Sequence, residues 1–436
     1  MLFGRNGRLD DLTIRGARVL DPGEGIDETL DVTVEKGLVT RLEPAGARDT
    51  GNGHRVVAGE RLLLAPAFVD PHVHLRTPGR EDEEDVTSGT RAAAAGGFCT
   101  VLAMPNTDPV VDSAAAVRAL ADRARREAEV PVGFLAAISK GQEGSQLTEM
   151  VELAEAGAAG FSDDGKPVSS PTLLRRALQY NALVERPIAL HCEEPALSRA
   201  GQMHEGATSA ELGFGGYPSV AESVSVARDL ALARYEERPV HLLHLSARES
   251  VEELRRAQAA GLRVTAEATP HHLCLTDEAV RTLDPNLKMN PPLRSDDDRK
   301  ALLEALVDGS ISAVATDHAP HAQHEKDVPF ESAPFGVTGL ETAFPALYTR
   351  LVEPGILPLA TLLERMSAGP ARIYGLEPPR IAVGAPANLV LVDLEARWRV
   401  EASGFRSKSA NSWLLGKSLR GRVKLTVARG RVAFAA

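Results

Sequence analysis

From Asp11 to about Leu64 the chain runs in short stretches of alternating apolar and polar residues broken by turn residues: LTIRGARVLDPGEG, LDVTVEKGLVTRLEP and HRVVAGERLLLAP. Such alternation gives each stretch one apolar side and one polar side, which predicts a small antiparallel sheet. The style returns at the far end in ANLVLVDLEARWRV and GRVKLTVARGRVAFAA. Neither piece is long enough to make a good sandwich alone. Both termini are therefore expected to build one small β-sandwich domain, residues 1–65 with 376–436, around an inserted larger domain, residues 66–375.

Between the ends the pattern changes, and eight apolar, β-rich runs alternate with segments of helical spacing. The runs are LLLAPAFVDPH, GGFCTVLAMPN, VPVGFLAAIS, GAAGFSDDG, RPIALHCEE, RPVHLLHLS, LRVTAEATPHH and SISAVATDHAPH. The helical segments include SAAAVRALADRARREAEV, LTEMVELAEAGA, SPTLLRRALQYNALVE, SVAESVSVARDLALARYEE and ESVEELRRAQAAG. Eight parallel strands joined by helices close into an α/β fold of the (β/α)8 TIM-barrel type, with the active site at the carboxyl ends of the strands. A doubly wound open sheet is the competing architecture; the count of eight and the placement of polar residues favour the barrel.

Composition narrows the partners. In 436 residues, 49 Lys and Arg stand against 60 Asp and Glu, a net charge of -11. That balance argues against nucleic acid or an anionic membrane and leaves room for a small anionic substrate held by a few local Arg or His side chains. Cys99, Cys192 and Cys274 are scattered without a C-x-x-C pair, which indicates neither a disulfide framework nor a zinc finger and suits a reducing cytoplasm. The opening MLFGRNGRLDDLTIRG has no apolar signal core, and no stretch reaches the ~18 apolar residues of a membrane span. A soluble, cytoplasmic protein is expected.

The chemistry gathers at the strand ends. Of twelve histidines, ten fall at the end of a proposed strand or in the loop leaving it: His72, His74, His191, His241, His244, His271, His272, His318, His321 and His324. In VDPHVHLRTPG, His72 and His74 are two apart, so on a strand both imidazoles point the same way and can share one cation just beyond its end. In HLLHLS, His241 and His244 are three apart and face opposite sides, which makes His244 the ligand candidate and sends His241 outside the barrel. His271 and His272 are read as structural or supporting groups. SDDG contributes a carboxylate, LHCEE His191 and TDHAPH Asp317.

Zinc-type chemistry prefers imidazole and carboxylate ligands with a position left for water, and six ligands are too many for one tetrahedral ion. The expected grouping places His72, His74 and Asp317 on one cation, His191 and His244 on a second, and Asp164 as the bridge. One member of the Asp163–Asp164 pair is expected to stabilise the SDDG turn. A hydroxide bridging two such cations is a nucleophile near neutral pH.

FVDPHVHLRTPG, MPNTDP, FSDDG, LHCE, HLLHLSA, MNPPLR, ATDHAPH with the following HEK, and SGFRSKSANSWLLGKSLRG near the end occur in this order along the chain. Together they resemble the type I dihydroorotases of the amidohydrolase superfamily. The resemblance implies reversible cyclisation of N-carbamoyl-L-aspartate to L-dihydroorotate in de novo pyrimidine (UMP) biosynthesis, with zinc, one or two ions per chain. It implies His72, His74, Asp164, His191, His244 and Asp317 as metal ligands, and Arg76, Asn106, Asn290 and His321 as substrate contacts. Arg76 is then the carboxylate clamp, and Asp317 the catalytic acid and base that carries a proton from the attacking hydroxide to the leaving ring nitrogen.

Two departures from the superfamily pattern matter. Many members bridge their cations with a carboxylated lysine, whereas SDDG offers aspartates, and Lys166 sits in a turn position that makes it a poor substitute. Thr77 stands where the family often has an acidic residue, with a minor effect expected. The segment HAQHEKDVPFESAPFG is long and polar enough to fold across the mouth. A homodimer and association with an aspartate carbamoyltransferase stay open as partners. Rival readings are an allantoinase or hydantoinase, which HLR with TDHAPH disfavours, and a non-catalytic scaffold for a carbamoyltransferase, which the full ligand set disfavours.

Overall fold

The computed structural model describes residues 1–5, 7–46, 54–199 and 201–436. Eight parallel strands make the central sheet, each paired with the next along the chain: β1 (Phe68–Val73), β2 (Phe98–Ala103), β3 (Val132–Ala136), β4 (Gly160–Ser162), β5 (Ile188–Leu190), β6 (Val240–Leu242), β7 (Val264–Ala268) and β8 (Ala313–Val314). The sheet closes where Val73 bridges His318 and the His74 N–H donates to the His318 carbonyl at 2.9 Å. Asp70, fully buried on β1, fastens this seam by accepting the Thr316 N–H at 3.1 Å and the Thr316 hydroxyl at 2.5 Å. The eight apolar runs thus form the expected barrel.

The first run divides, however. Leu63–Pro66 belongs to a different sheet, pairing in parallel with Arg18 and Val19 and antiparallel with Leu389–Val392, and the chain enters the barrel only at Phe68. An uninterrupted apolar stretch carries no mark of the point where one sheet hands over to the next.

The five segments of helical spacing contain Ala114–Glu127, Met150–Glu155, Pro171–Asn181, Val220–Tyr235 and Arg248–Ala259. In the first, the Ser113 side chain accepts the Ala116 N–H, and Val117, Leu120, Ala121 and Ala124 form the buried stripe. In the third, Pro171 occupies the first turn, where its missing N–H would have no partner anyway. Such stripes pack with Val101, Phe134, Phe161, Leu190 and Leu242 in the main core. Leu102, Leu135, Ala159, Ala189 and Leu243 form a separate cluster with Tyr374 inside the barrel.

The second large sheet takes strands from both ends of the chain. Its order is Arg431–Ala435, Ser418–Ala428, Leu389–Arg399, Leu63–Pro66, Leu12–Asp21, Ile26–Glu35 and Leu38–Pro44, with Arg55–Ala58 alongside Leu12–Arg15. It curls over one core that includes Ile14, Val32, Val34, Leu391 and Val427. Its outer edge is tied back by the Val39 N–H donating to the Ala385 carbonyl at 2.9 Å. The closing approach admits only glycine, since a Cβ on Gly430, at φ +74, would fall 2.0 Å from the Gly37 Cα.

The stretch between the last two long strands returns to the carboxyl ends of the barrel. The Ser409 hydroxyl donates to the Glu83 carbonyl at 2.7 Å, Lys408 pairs with Asp85 at 2.6 Å, and the Asn411 amide donates to the Ala319 carbonyl at 3.1 Å. This strap binds the loop after β1 to the loop after β8. Among the described residues no helix is long and apolar enough to cross a membrane.

Candidate metal centre

Six buried side chains from five strand ends meet above the barrel: His72 near the end of β1 and His74 just after it, Asp164 after β4, His191 after β5, His244 after β6 and Asp317 after β8. His72 Nε2 lies 3.5 Å from Asp164 Oδ2 and 3.4 Å from Asp317 Oδ1, while His74 Nε2 lies 3.5 Å and 3.0 Å from the same oxygens. The other Asp164 oxygen, Oδ1, is 3.5 Å from His191 Nδ1 and 3.4 Å from His244 Nε2, and those nitrogens are 3.0 Å apart. Ligands bound at ~2.0–2.1 Å around a tetrahedral ion are about 3.3 Å from one another. Both groups have that spacing, with one Asp164 oxygen turned to each. His72 Nε2 is buried without a hydrogen-bond partner, so the donor set fits a cation there.

Groups behind the ligands decide which ring nitrogen faces inward. Glu267, fully buried on β7, is pushed up by burial but held down to about 2 by the His241 and His72 rings. An ionised carboxylate only accepts, so the His72 Nδ1–H donates to Glu267 Oε1 at 2.8 Å and Nε2 is the ring nitrogen turned to the other ligands. Likewise the His74 Nδ1–H donates to Asn106 Oδ1 at 2.9 Å, and the His191 Nε2–H donates to Glu193 Oε2 at 3.0 Å. Glu193 is itself held down to about 2, against burial, by His191, Ser198 and Asn290. Burial would raise the Asp164 and Asp317 carboxyls, yet the imidazoles around them, His72 foremost, hold both well below the usual carboxylate range. This field favours positive charge between the ligands.

The backbone is unusual at the same place. His244 has φ +29, Asp317 φ +47 and Arg76 φ +54, a left-handed region seldom adopted outside glycine. The turn at His244 corrects the reading of HLLHLS. His241 does not pack outside the barrel: its Nε2–H donates to Glu267 Oε2 at 3.0 Å, and its Nδ1 is 2.9 Å from the Thr265 hydroxyl. Alternation holds only while the chain is a strand; β6 ends at Leu242, and the turn brings His244 back to the inward side already occupied by His241. His272 is engaged with Thr269 Oγ1 at 2.8 Å and the Pro291 carbonyl at 2.9 Å.

Asp163 takes the turn role, accepting the Ile138 N–H at 2.8 Å and the Ser139 N–H at 3.1 Å, and Lys166 is exposed. The four residues expected at the substrate lie around the centre in differing ways. Asn106 also donates to Asp164 Oδ2 at 3.4 Å, and Asn290 donates to Glu193 Oε2 at 3.0 Å, so both touch the ligand framework. Arg76 donates its Nε–H to the Pro320 carbonyl at 3.1 Å and pairs with Glu83 at 2.9 Å. His321 is neutral, pushed down to about 3 by burial and by the charges of Arg76 and Lys326, and its Nε2–H donates to the Phe335 carbonyl at 2.9 Å. The loop after β8 is pinned beneath by two buried lysines: Lys326 donates to the Pro334 carbonyl at 2.7 Å and Lys288 to the Phe330 carbonyl at 2.8 Å.

Comparison with known proteins gives the family. Residues 60–250 match the family model described as dihydro-orotase-like. A dihydroorotase from Geobacter sp. (strain M21) is 46% identical over 426 residues, covering 98% of this chain and 100% of that protein. The chain belongs to the dihydroorotase family. A dihydroorotase from Acetivibrio thermocellus is 42% identical over 421 residues, 97% of this chain and 98% of that one. Among solved structures, an L-hydantoinase (dihydropyrimidinase) from Arthrobacter aurescens aligns with a TM-score of 0.86 at 25% identity, covering 98% of this chain and 96% of its own. As a member of the dihydroorotase family with this fold, the chain is a metal-dependent cyclic amide hydrolase.

Sequence reasoning missed Glu267 and Glu193, which orient His72 and His191. Glu193 stood in view, two residues past His191 in LHCEE. Glu267 offered only the signal of a carboxylate in the middle of the apolar run LRVTAEATPHH.

Proposed function

We propose that this protein is a dihydroorotase that interconverts N-carbamoyl-L-aspartate and L-dihydroorotate in pyrimidine synthesis, with two zinc ions per chain. The observation that carries the reading is near-full-length identity to dihydroorotases in a chain whose Asp164 turns one oxygen to each of two ligand groups. His72, His74, Asp164 and Asp317 would hold one ion, and His191, His244 and Asp164 the other. Such ions, when bound, acidify water and polarise an amide carbonyl.

Asp317 is the base and acid. Its Oδ1 faces His72 and His74, which leaves Oδ2 to receive the proton of the attacking water. As the new C–O bond forms and the ring C–N bond breaks, the same oxygen returns that proton to the leaving nitrogen, and dihydroorotate plus water become carbamoyl-aspartate. Ring closure reverses each transfer. The imidazoles of His72 and His74 hold the Asp317 carboxyl well below the usual carboxylate range, so it is ionised before the attack. Arg76 binds the substrate carboxylate: its Nε is held by Pro320 and Glu83, and its Nη1 has no partner among the described residues. Asn290, whose Oδ1 is buried without a partner, adds an amide acceptor to the same wall.

Metal content per chain measured alongside carbamoyl-aspartate cyclisation tests this reading. Two zinc ions and rapid cyclisation are expected, with dihydroorotate opened far faster than hydantoin or allantoin. Preference for hydantoin, the substrate class of the hydantoinases that share the fold, would replace the substrate assignment while keeping the centre.

A further inference from the structure

A cavity of about 790 Å³ opens at the other end of the barrel, where β5, β6 and β7 begin. Five arginines line it, Arg186, Arg238, Arg263, Arg365 and Arg372, against two glutamates, Glu185 and Glu364. Glu364 is already paired with Arg365 and Arg372. Among the described residues no carboxylate lies within ion-pair distance of Arg186, Arg238 or Arg263, and Arg186 Nε is buried with no hydrogen-bond partner. In a chain of net charge -11, three guanidinium groups without counter-ions around one concavity make a local positive potential that a bound anion relieves. Pro187, Pro239, Leu262 and Ile373, all of them partly exposed, add an uncharged wall beside the strand starts.

We infer that this cavity binds a small organic phosphate of nucleotide size. Guanidinium forks match phosphate oxygens in pairs, and the volume falls in the ~300–1,000 Å³ range of small-molecule sites. The apolar wall suits a flat ring, which a free inorganic anion would leave uncovered. The site is separate from the metal centre, since Leu102, Leu135 and Leu243 fill the barrel between them. One side chain spans the distance: His241 lines the cavity and donates to Glu267, which accepts from His72.

Equilibrium titration of the metal-loaded full chain with the fluorescent nucleotide trinitrophenyl-ATP tests the inference. Saturable binding at one site per chain is expected, displaced by unlabelled ATP and not by dihydroorotate. The dissociation constant should rise at least about tenfold in the Arg238→Gln/Arg263→Gln double variant. Both positions reach solvent, so that variant should fold and keep its turnover of dihydroorotate. Asp317→Asn should bind the probe as the wild type does. Absence of saturable binding, equal affinity in the double variant, displacement by dihydroorotate, or loss of binding in Asp317→Asn would each overturn the assignment.

Discussion

Replacing Glu267 by glutamine preserves volume and removes one charge from behind the metal centre. In the native protein a single carboxylate accepts the His72 Nδ1–H at 2.8 Å, the His241 Nε2–H at 3.0 Å and the His244 backbone N–H at 3.3 Å. Two of these converge on Oε1, so a glutamine carbonyl placed there retains both. Its amide then faces His241, which adapts by moving its proton to Nδ1, beside the Thr265 hydroxyl. The geometry therefore survives and the loss is electrostatic. A hydrogen bond to a charged group contributes ~1.5–3 kcal/mol and a neutral one ~0.5–1.5, so the His72 contact weakens by about 1–2 kcal/mol. That corresponds to a zinc affinity lower by roughly 5- to 30-fold, in keeping with the ~10–100-fold usual for groups that orient metal-bound histidines. Zinc competition against a calibrated chelator measures it directly. Affinity within twofold of wild type, in a variant of unchanged thermal midpoint, would refute the view that Glu267 tunes His72.

Three further outcomes follow from the same geometry. Asp317→Asn should abolish cyclisation while most zinc is retained through His72, His74 and Asp164, and normal turnover would remove Asp317 from proton transfer. Arg76→Ala should raise KM for carbamoyl-aspartate by at least about tenfold with a smaller change in kcat; unchanged steady-state constants would exclude the clamp. Glu341, pushed by burial from 4.5 up to about 7 although the Ser407 and Arg406 N–H groups oppose this, keeps a proton in the folded state that the unfolded chain releases. Stability from this group is therefore full at acid pH and is lost as pH rises toward 7, so the thermal midpoint should fall between pH 5 and 8 less in Glu341→Gln than in wild type. Parallel midpoint-versus-pH curves would show that Glu341 is ionised throughout.

What the sequence disclosed and what it hid have the same cause. His72 and His74 could be placed because two residues on a strand share a face, and the chain is extended through Val73. His241 and His244 could not, because the rule was carried across a residue with positive φ that no local pattern announces. Asp163 and Asp164 were recognisable as one turn residue and one bridge, but their division of labour depends on Ser139, a contact made only when β3 lies beside β4. Glu193 and Glu267 are ordinary carboxylates until the barrel closes; their role comes from histidines that belong to other strands or face a shared interior. The barrel itself was legible because its eight strands are mostly apolar and helices such as Ala114–Glu127 carry an apolar stripe, whereas the passage from Pro66 to Phe68 between two sheets leaves no trace in hydrophobicity.

The strap that runs from the Phe405 region to Asn411 has a consequence for biosynthesis of the polypeptide. Every residue that meets at the centre has been translated by Asp317, yet the clasp on the loops carrying Arg76 and His321 comes from the tail of the message. A nascent chain on the ribosome can gather its histidines early but completes the rim of its pocket only when the last two long strands have emerged. Asn411→Ala, which cuts the strap's ties to the Ala319 carbonyl and the His321 N–H, should consequently lower turnover in a chain that still holds its metal.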